Sequence, residues 1–344
     1  MSEALLMRAV WKRFGDFTAV SDMSLAVPRG DVVGFLGPNG AGKTTTLRMV
    51  MSILYPDAGE IRVLGHARAI DVKDRIGYLP EERGLYRKMT VDATLRYFAR
   101  LKGLSGAALG ERIAARLAQV GLSDRRSSRV ESLSKGMQQK VQFITTILHE
   151  PDLVILDEPF SGLDPLNAEA LRQLMMEIRG RGGTVIFSTH EMEAAERLCD
   201  RIVLINRGRK LIEGSISEVR AQFAMRMVTI EGEGDLAPLL GQPGVIDGSS
   251  SAGHARLELA EGADPQALLR EAMQRTRITR FEVHRPGLRE IFVKLVGGDH
   301  DATGAAAVDG RASPPAVAAG AALTRRGGGP GGGFWGAGGG PRFF

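Results

Sequence analysis

An α/β fold built on a buried sheet, followed by a smaller α+β part and a low-complexity tail, is what this 344-residue sequence predicts. Three observations carry the prediction. Two very apolar runs, "DLVILDEP" and "GTVIFSTH", flank the helix-patterned "NAEALRQLMMEIRGRG", which is how buried parallel strands joined by a crossover helix read. A third run, "DVVGFLG", passes through the glycine-rich "GPNGAGKT" straight into the helical "KTTTLRMVMSI". After Ser215 the pattern changes to short alternating segments.

The elements follow in order. Between residues 4 and 36 the pieces "LLMRAVWKRF", "AVSDMSLAV" and "DVVGFLG" read as strands, joined later by "AGEIRVLG". From Thr90 to about Val120 apolar residues recur at three and four, in "VDATLRYFARLKG" and "GERIAARLAQVG". With the helix opened by "LSKGMQQK", they predict a helical subdomain over about 85–145. Residues 226–284 parse as strand "RMVTIE", short helix "LAPLLG", strands near "GVIDG" and "HARLELA", helix "DPQALLREAMQR" and strand "ITRFEVH". That βαββαβ order predicts a ferredoxin-like domain, closed by "GLREIFVKLVG" as a helix. The expected boundaries are 1–216, 217–297 and a tail at 298–344, whose Ala, Gly and Pro content predicts disorder.

Composition excludes several classes. With 45 Lys and Arg against 40 Asp and Glu the formal charge is +5, part of it in the tail at Arg311, Arg325, Arg326 and Arg342. That excess is too diffuse to argue for nucleic acid, and no aromatic-interleaved basic patch accompanies it. The single cysteine, Cys199, rules out an internal disulfide framework and reads as a small buried hydrophobe. Glu3 and Arg8 interrupt the apolar run a signal peptide would need. The longest apolar runs are strand-sized, so work at a membrane would require another chain to span it.

"GPNGAGKT" fits the phosphate-loop pattern in the context that pattern requires. Its glycines let backbone N–H groups turn inward around phosphates at the positive end of a helix, with Lys43 reaching the terminal phosphates and the Thr44 hydroxyl ligating magnesium. "DLVILDEP" ends with Asp157 and Glu158 side by side, one suited to hold magnesium and the other to act as general base. Acidic residues after strands also cap helices, so the pair acquires its meaning from the phosphate loop. His190 closes "TVIFSTH" at the sheet edge where open parallel sheets bind ligands; a loop histidine can equally be just solvated.

With these motifs the sequence resembles, over roughly residues 4 to 215, the ATPase subunits of ATP-binding-cassette (ABC) transporters, phosphate-loop NTPases, which implies a mixed sheet core with an N-terminal antiparallel β part and a helical subdomain. The resemblance implies ATP and Mg2+ as ligands and assigns roles residue by residue. Phe14 stacks on adenine, and Gly37, Pro38, Asn39, Gly40, Ala41, Gly42, Lys43, Thr44 and Thr45 hold the phosphates. "LSKGMQQK" resembles the signature motif, so Ser134, Lys135, Gly136 and Gln138 would contact ATP held by the other subunit of a head-to-tail homodimer. Ser161, Gly162, Leu163 and Asp164 form the subunit-facing loop, Glu158 and His190 with Lys43 are catalytic, and Thr44, Asp157 and Glu81 are the metal positions. The family also implies a permease on a separate chain and a peripheral place on the cytoplasmic face of the cell membrane.

Two positions depart from the family pattern. Glu81 stands where glutamine is usual. A second unpaired carboxylate about 4 Å from another costs about 4 kcal/mol at an effective dielectric of about 20, so Glu81 must ligate metal, be protonated or pair with a neighbour such as Arg83. Lys135 stands where glycine is usual, at a helix N-terminus that disfavours a cation unless an anion offsets it; phosphate contact and a solvent-facing lysine are both open. "LPEERGLYRKMTV" and "PGLREIFVKLV" further resemble the ATPases of two-component exporters of the sodium, drug and antibiotic type, whose small C-terminal domain reads as regulatory or dimer-supporting. A soluble ABC ATPase of translation or DNA repair would usually show two cassettes or a long heptad insertion, and neither is present. A non-hydrolysing ATP-dependent regulator conflicts with the complete set Lys43, Asp157, Glu158 and His190.

Overall fold

The computed structural model describes residues 3–301 apart from 83, 224, 225 and 261. Strand β1 (Glu3–Phe14) turns through Gly15, at φ +57°, into antiparallel β2 (Phe17–Pro28). There follow β3 (Val32–Leu36), α1 (Lys43–Val50), β4 (Ala58–Val63) and β5 (Ile76–Leu79). Helices α2 (Val91–Leu101), α3 (Ala108–Gln119) and α4 (Lys135–Ile147) come next, then β6 (Leu153–Leu156), α5 (Pro165–Gly180) and β7 (Thr184–Thr189). The segment the sequence pattern left unparsed supplies α6 (Met192–Leu198), β8 (Arg201–Asn206), β9 (Arg209–Ser215) and α7 (Ile216–Ala221).

These strands make two sheets. The first runs β2-β1-β4 and is antiparallel, as the resemblance implies. The second runs β5-β6-β7-β3-β8-β9, parallel except for β9. Every residue of β3, β6 and β7 is buried, which is why their sequences are continuous apolar runs rather than alternating ones. One core, with Leu95, Ile113, Phe143, Leu156 and Phe187, joins the α2–α4 helices to one face of the large sheet. A second, with Met7, Met23, Phe35, Leu47 and Ile155, joins the small sheet and α1 to the other strands. Thr90 and Ser134 cap α2 and α4, each accepting a backbone N–H three residues on.

The C-terminal part comprises β10 (Arg226–Gly232), β11 (Val245–Ser251), β12 (His254–Leu259), α8 (Pro265–Arg275), β13 (Ile278–His284) and α9 (Leu288–Asp301). Its antiparallel sheet runs β11-β12-β10-β13, the order that two interleaved βαβ units produce. The expected helix "LAPLLG" is a single 3₁₀ turn, Ala237–Gly241, since Pro238 and Gly241 leave too short a stretch for an α-helix. Val228, Ile230, Leu257 and Leu268 form a core of their own. Helix α9 leaves this core and packs Leu288 and Ile291 against Ala195 of α6, together with Leu36, Ile202 and Val219. There the Glu196 carboxylate accepts the Leu288 N–H and pairs with Arg220. Helix α9 runs to Asp301, into the stretch read as tail; residues 302–344, with their expected disorder, lie outside the described ones.

His149, just past α4, donates from Nε2 to the Ile76 carbonyl at 3.1 Å, while its Nδ1 is buried with no partner. Burial, and then the nearby Lys102 ammonium, push its pKa down from 6.5 to about 4. The unfolded chain therefore takes up the proton first, so this contribution to stability is whole above about pH 6.5 and is lost as pH falls towards 4. Allowing for partial solvent screening the loss amounts to about 1–2 kcal/mol. Thermal melts at pH 7 and pH 5 should show a smaller acid-induced drop for His149→Gln than for wild type, and equal drops would remove His149 from the account.

Candidate functional site

Parallel pairing of β3, β6 and β7 brings their C-terminal ends to one edge of the sheet, with Leu36 opposite Thr189 and Leu156 opposite Phe187. Gly37, Asp157 and His190 each follow directly, at the edge where such sheets bind ligands. The loop from Gly37 is shaped by close approach. A Cβ on Gly37 would sit 2.2 Å from the Ile205 carbonyl oxygen, and one on Gly42, whose φ is +98°, would sit 2.5 Å from that of Ala19. Pro38, Asn39 and Gly40 are exposed, Ala41 is buried, and Thr44 and Thr45 are half-buried on the first turn of α1. No side chain caps α1 and no acidic residue lies in its first turn, so its leading N–H groups remain available to an anion. Lys43, only 6% exposed, folds back over the loop and donates to the carbonyls of Gly37 at 2.8 Å and Pro38 at 3.2 Å.

The two carboxylates of 157 and 158 have different surroundings. Asp157 is fully buried; its Oδ1 accepts from the Ser188 hydroxyl at 2.6 Å and the Thr44 hydroxyl at 3.1 Å, while Oδ2 is buried with no partner. A buried carboxylate oxygen left bare is costly, and together with the Thr44 hydroxyl it makes a hard-oxygen donor set that fits Mg2+. Glu158 lies between two basic groups: Oε1 is 3.3 Å from Lys43 Nζ, and Oε2 is 3.2 Å from Nδ1 of the half-exposed His190. Its backbone adopts φ +47°, a left-handed conformation uncommon for a glutamate and of the kind that collects at functional sites. Neither carboxylate caps a helix; that task falls to Asp164, which accepts the Asn167 N–H at 2.9 Å at the start of α5. Hydrogen bonds from Asn167 hold the Asp164 carboxyl below its usual range.

The remaining predicted residues lie on other elements. Phe14 is exposed at the end of the β1–β2 hairpin, the Lys12 ammonium 5.5 Å from its ring centroid, and β2 continues to Ala19, whose carbonyl abuts Gly42. Ser134 and Lys135 are exposed at the start of α4, so the lysine faces solvent in this chain. Gly136 is buried against Asn167, whose amide lies 2.6 Å from where a Cβ would stand. Asn167 thus ties the start of α4 to the loop of Ser161, Gly162, Leu163 and Asp164. Gln138 turns inward and donates to the carbonyls of Val130 and Leu133, so its amide N–H groups support the turn before α4. Among the described residues no hydrogen bond or ion pair joins the start of α4 to the Lys43 loop. Glu81 is exposed beyond β5, and none joins it to another described residue. Water therefore solvates its charge, and the electrostatic conflict expected for two close dry carboxylates does not arise.

Sequence reasoning missed the residues that connect these parts. Ser188 joins Asp157 to the Glu158 backbone, whose N–H it accepts at 2.9 Å. In α4, Gln139 donates to the Pro159 carbonyl at 3.3 Å and Gln142 to that of Glu82 at 3.2 Å. The only signal was a hydroxyl inside an apolar strand, and glutamines on an otherwise buried helix face.

The ABC transporter family pattern matches residues 20–161, and that of the C-terminal domain of DrrA1-3-like ATP-binding proteins matches residues 214–296. The chain is 38% identical over 292 residues to the uncharacterized ABC transporter ATP-binding protein YhaQ of Bacillus subtilis, covering 85% of this chain and 98% of that one. It is 34% identical over 301 residues to Nod factor export ATP-binding protein I of Burkholderia lata, covering 84% and 96%. A solved structure of the ATP binding subunit of an ABC transporter aligns with a TM-score of 0.60 at 36% identity, over 64% of this chain and 93% of that one. A phosphate loop, an acidic pair and a histidine on one sheet edge, and matches that run through the C-terminal sheet, have a single explanation: the chain belongs to the family of ABC transporter ATP-binding proteins, with a DrrA-like C-terminal domain.

Proposed function

We propose that this chain binds and hydrolyses ATP with Mg2+ as one of two identical subunits, and that the cycle drives a separately encoded permease in the direction of export. The observation that carries the reading is the bare Asp157 Oδ2 on a carboxylate whose other oxygen meets the Thr44 hydroxyl, a hard-oxygen donor set at the mouth of a phosphate loop. In this mechanism the N–H groups at the start of α1 and the Lys43 ammonium bind the phosphates. Thr44 and Asp157 hold Mg2+, which when bound offsets phosphate charge. Glu158 takes the proton of the attacking water, and His190 orients its carboxylate. As phosphate arrives it competes with Glu158 for Lys43, which releases the carboxylate for its role as base. Ser134 and Gly136 of a second copy complete the site, and Phe14 supports the adenine.

Among the described residues no helix is long and apolar enough to cross a membrane, so the permease reading requires a second chain at the cytoplasmic face. Export is supported by the Nod factor export relative. The docking surface in this reading is the helical part near Leu85 and Tyr86, where Tyr86, Tyr97 and Phe98 form an aromatic cluster with Tyr86 and Tyr97 exposed. Cysteines placed at Leu85 and Tyr86 should cross-link to an integral membrane protein in native membranes. Capture of soluble proteins alone would favour the rival reading, a soluble ABC ATPase or regulatory module.

A further inference from the structure

From the hydrogen bonds around β7 we infer that Ser188 is a positioning residue that sets both the metal-facing oxygen of Asp157 and the backbone of Glu158. The inference rests on the proposed roles of those two residues. Ser188 is fully buried in the middle of the sheet, so its hydroxyl has no water to bond with. It has one proton, which it gives to Asp157 Oδ1 at 2.6 Å, and it accepts the Glu158 N–H at 2.9 Å. The first bond fixes which carboxylate oxygen of Asp157 is spent and leaves Oδ2 as the bare one. Thr44 shares Oδ1, and since a hydroxyl ligates metal through a lone pair and keeps its proton, Thr44 and Ser188 can hold Asp157 together, Ser188 by the shorter bond. The second bond anchors the peptide that enters Glu158, whose left-handed φ of +47° relaxes readily without an anchor. One side chain on a neighbouring strand thus aligns the metal ligand and the base, though it contacts neither substrate nor metal. Isosteric loss of the hydroxyl must affect metal binding and turnover together while sparing the phosphate loop, to which Ser188 makes no hydrogen bond among the described residues.

The test uses the full chain with Ser188→Ala and Ser188→Thr. Mn2+ affinity in the presence of ADP, read from the electron paramagnetic resonance signal of free Mn2+, should weaken about 10- to 100-fold in Ser188→Ala, the factor carried by a hydrogen bond to a charged group. Its affinity for a fluorescent ATP analogue in EDTA should stay within about twofold of wild type, and kcat should fall while KM for ATP changes little. Ser188→Thr restores the hydroxyl and should recover both metal affinity and kcat. Mn2+ affinity in Ser188→Ala within about twofold of wild type overturns the inference. So does an equal loss of metal-free nucleotide affinity, which would mark general damage to the site. A threonine variant that melts with wild type yet binds Mn2+ as poorly as alanine overturns it too; if threonine's methyl lowers the melting temperature, the alanine variant decides. Glu158→Gln measured alongside keeps the two readings apart: wild-type turnover there removes the base but leaves the Mn2+ result standing.

Discussion

Glu158→Gln is expected to bind ATP as wild type does and to hydrolyse it about 10²- to 10⁴-fold more slowly, the contribution of a positioned general base. The amide keeps the shape of the side chain and its place between Lys43 and His190 but can no longer accept the water's proton. It also removes the ion pair of 3.3 Å with Lys43, which frees the ammonium for phosphate without competition. Binding and chemistry should therefore separate in this variant: the nucleotide stays, and the ATP-bound protein accumulates as a dimer on size exclusion. Turnover at the wild-type rate would take Glu158 out of the mechanism and leave its left-handed backbone and its two basic neighbours without a chemical reason.

A comparable loss is expected on the far side of the shared site. Ser134→Arg puts a long cation where a phosphate oxygen of the other subunit's ATP would rest, and turnover should fall at least about 100-fold, the scale of losing one stabilising donor. ATP binding by the isolated monomer should persist, because the start of α4 makes no polar contact with its own Lys43 loop among the described residues. The substitution also removes the cap on the Met137 N–H, costing about 1 kcal/mol of stability, so a melting curve must accompany the assay. Lys43→Ala should do the reverse, weakening binding in its own subunit while leaving its α4 intact. Mixing the two inactive proteins then pairs the sound loop of one with the sound α4 of the other, and some activity should return. The shared site is disproved if Ser134→Arg alone turns over at the wild-type rate at dilutions where dimers dissociate.

Much of this site was legible because its parts are local in sequence. A strand, a glycine loop and a helix within about 20 residues identify the phosphate site, and the residue after an apolar strand must emerge at the sheet edge, which placed Asp157 and His190. The βαββαβ order of the C-terminal part was legible for the same reason, since alternation and turn residues record each strand separately. Long-range relations were not. Ser188 reads as one polar letter in "TVIFST", and nothing local says that its hydroxyl faces β6 and not a cavity or water. The surroundings of Glu81 depend on how the chain leaves β5, so its exposure could not be inferred from neighbours in sequence. Gln138 belongs to a motif that implies nucleotide contact, yet the carbonyls of Val130 and Leu133 in the turn before α4 are closer at hand and accept from its amide.

The return of α9 to α6 bears on how such a protein could have been assembled. Leu288 and Ile291 close the wall formed by Leu36, Ala195, Ile202 and Val219, and Glu196 receives the N–H of Leu288 from across that seam. Gly287 lies close to both carboxylates: a Cβ there would come within 2.7 Å of the Glu290 carboxylate and 3.1 Å of that of Glu196, so both side chains would have to shift. The C-terminal module is consequently not a bead that recombination could exchange freely along a string. A lineage that dropped or swapped it would bare an apolar wall directly behind the helix that follows His190, and would have to remake that wall, residue by residue, to keep it out of water.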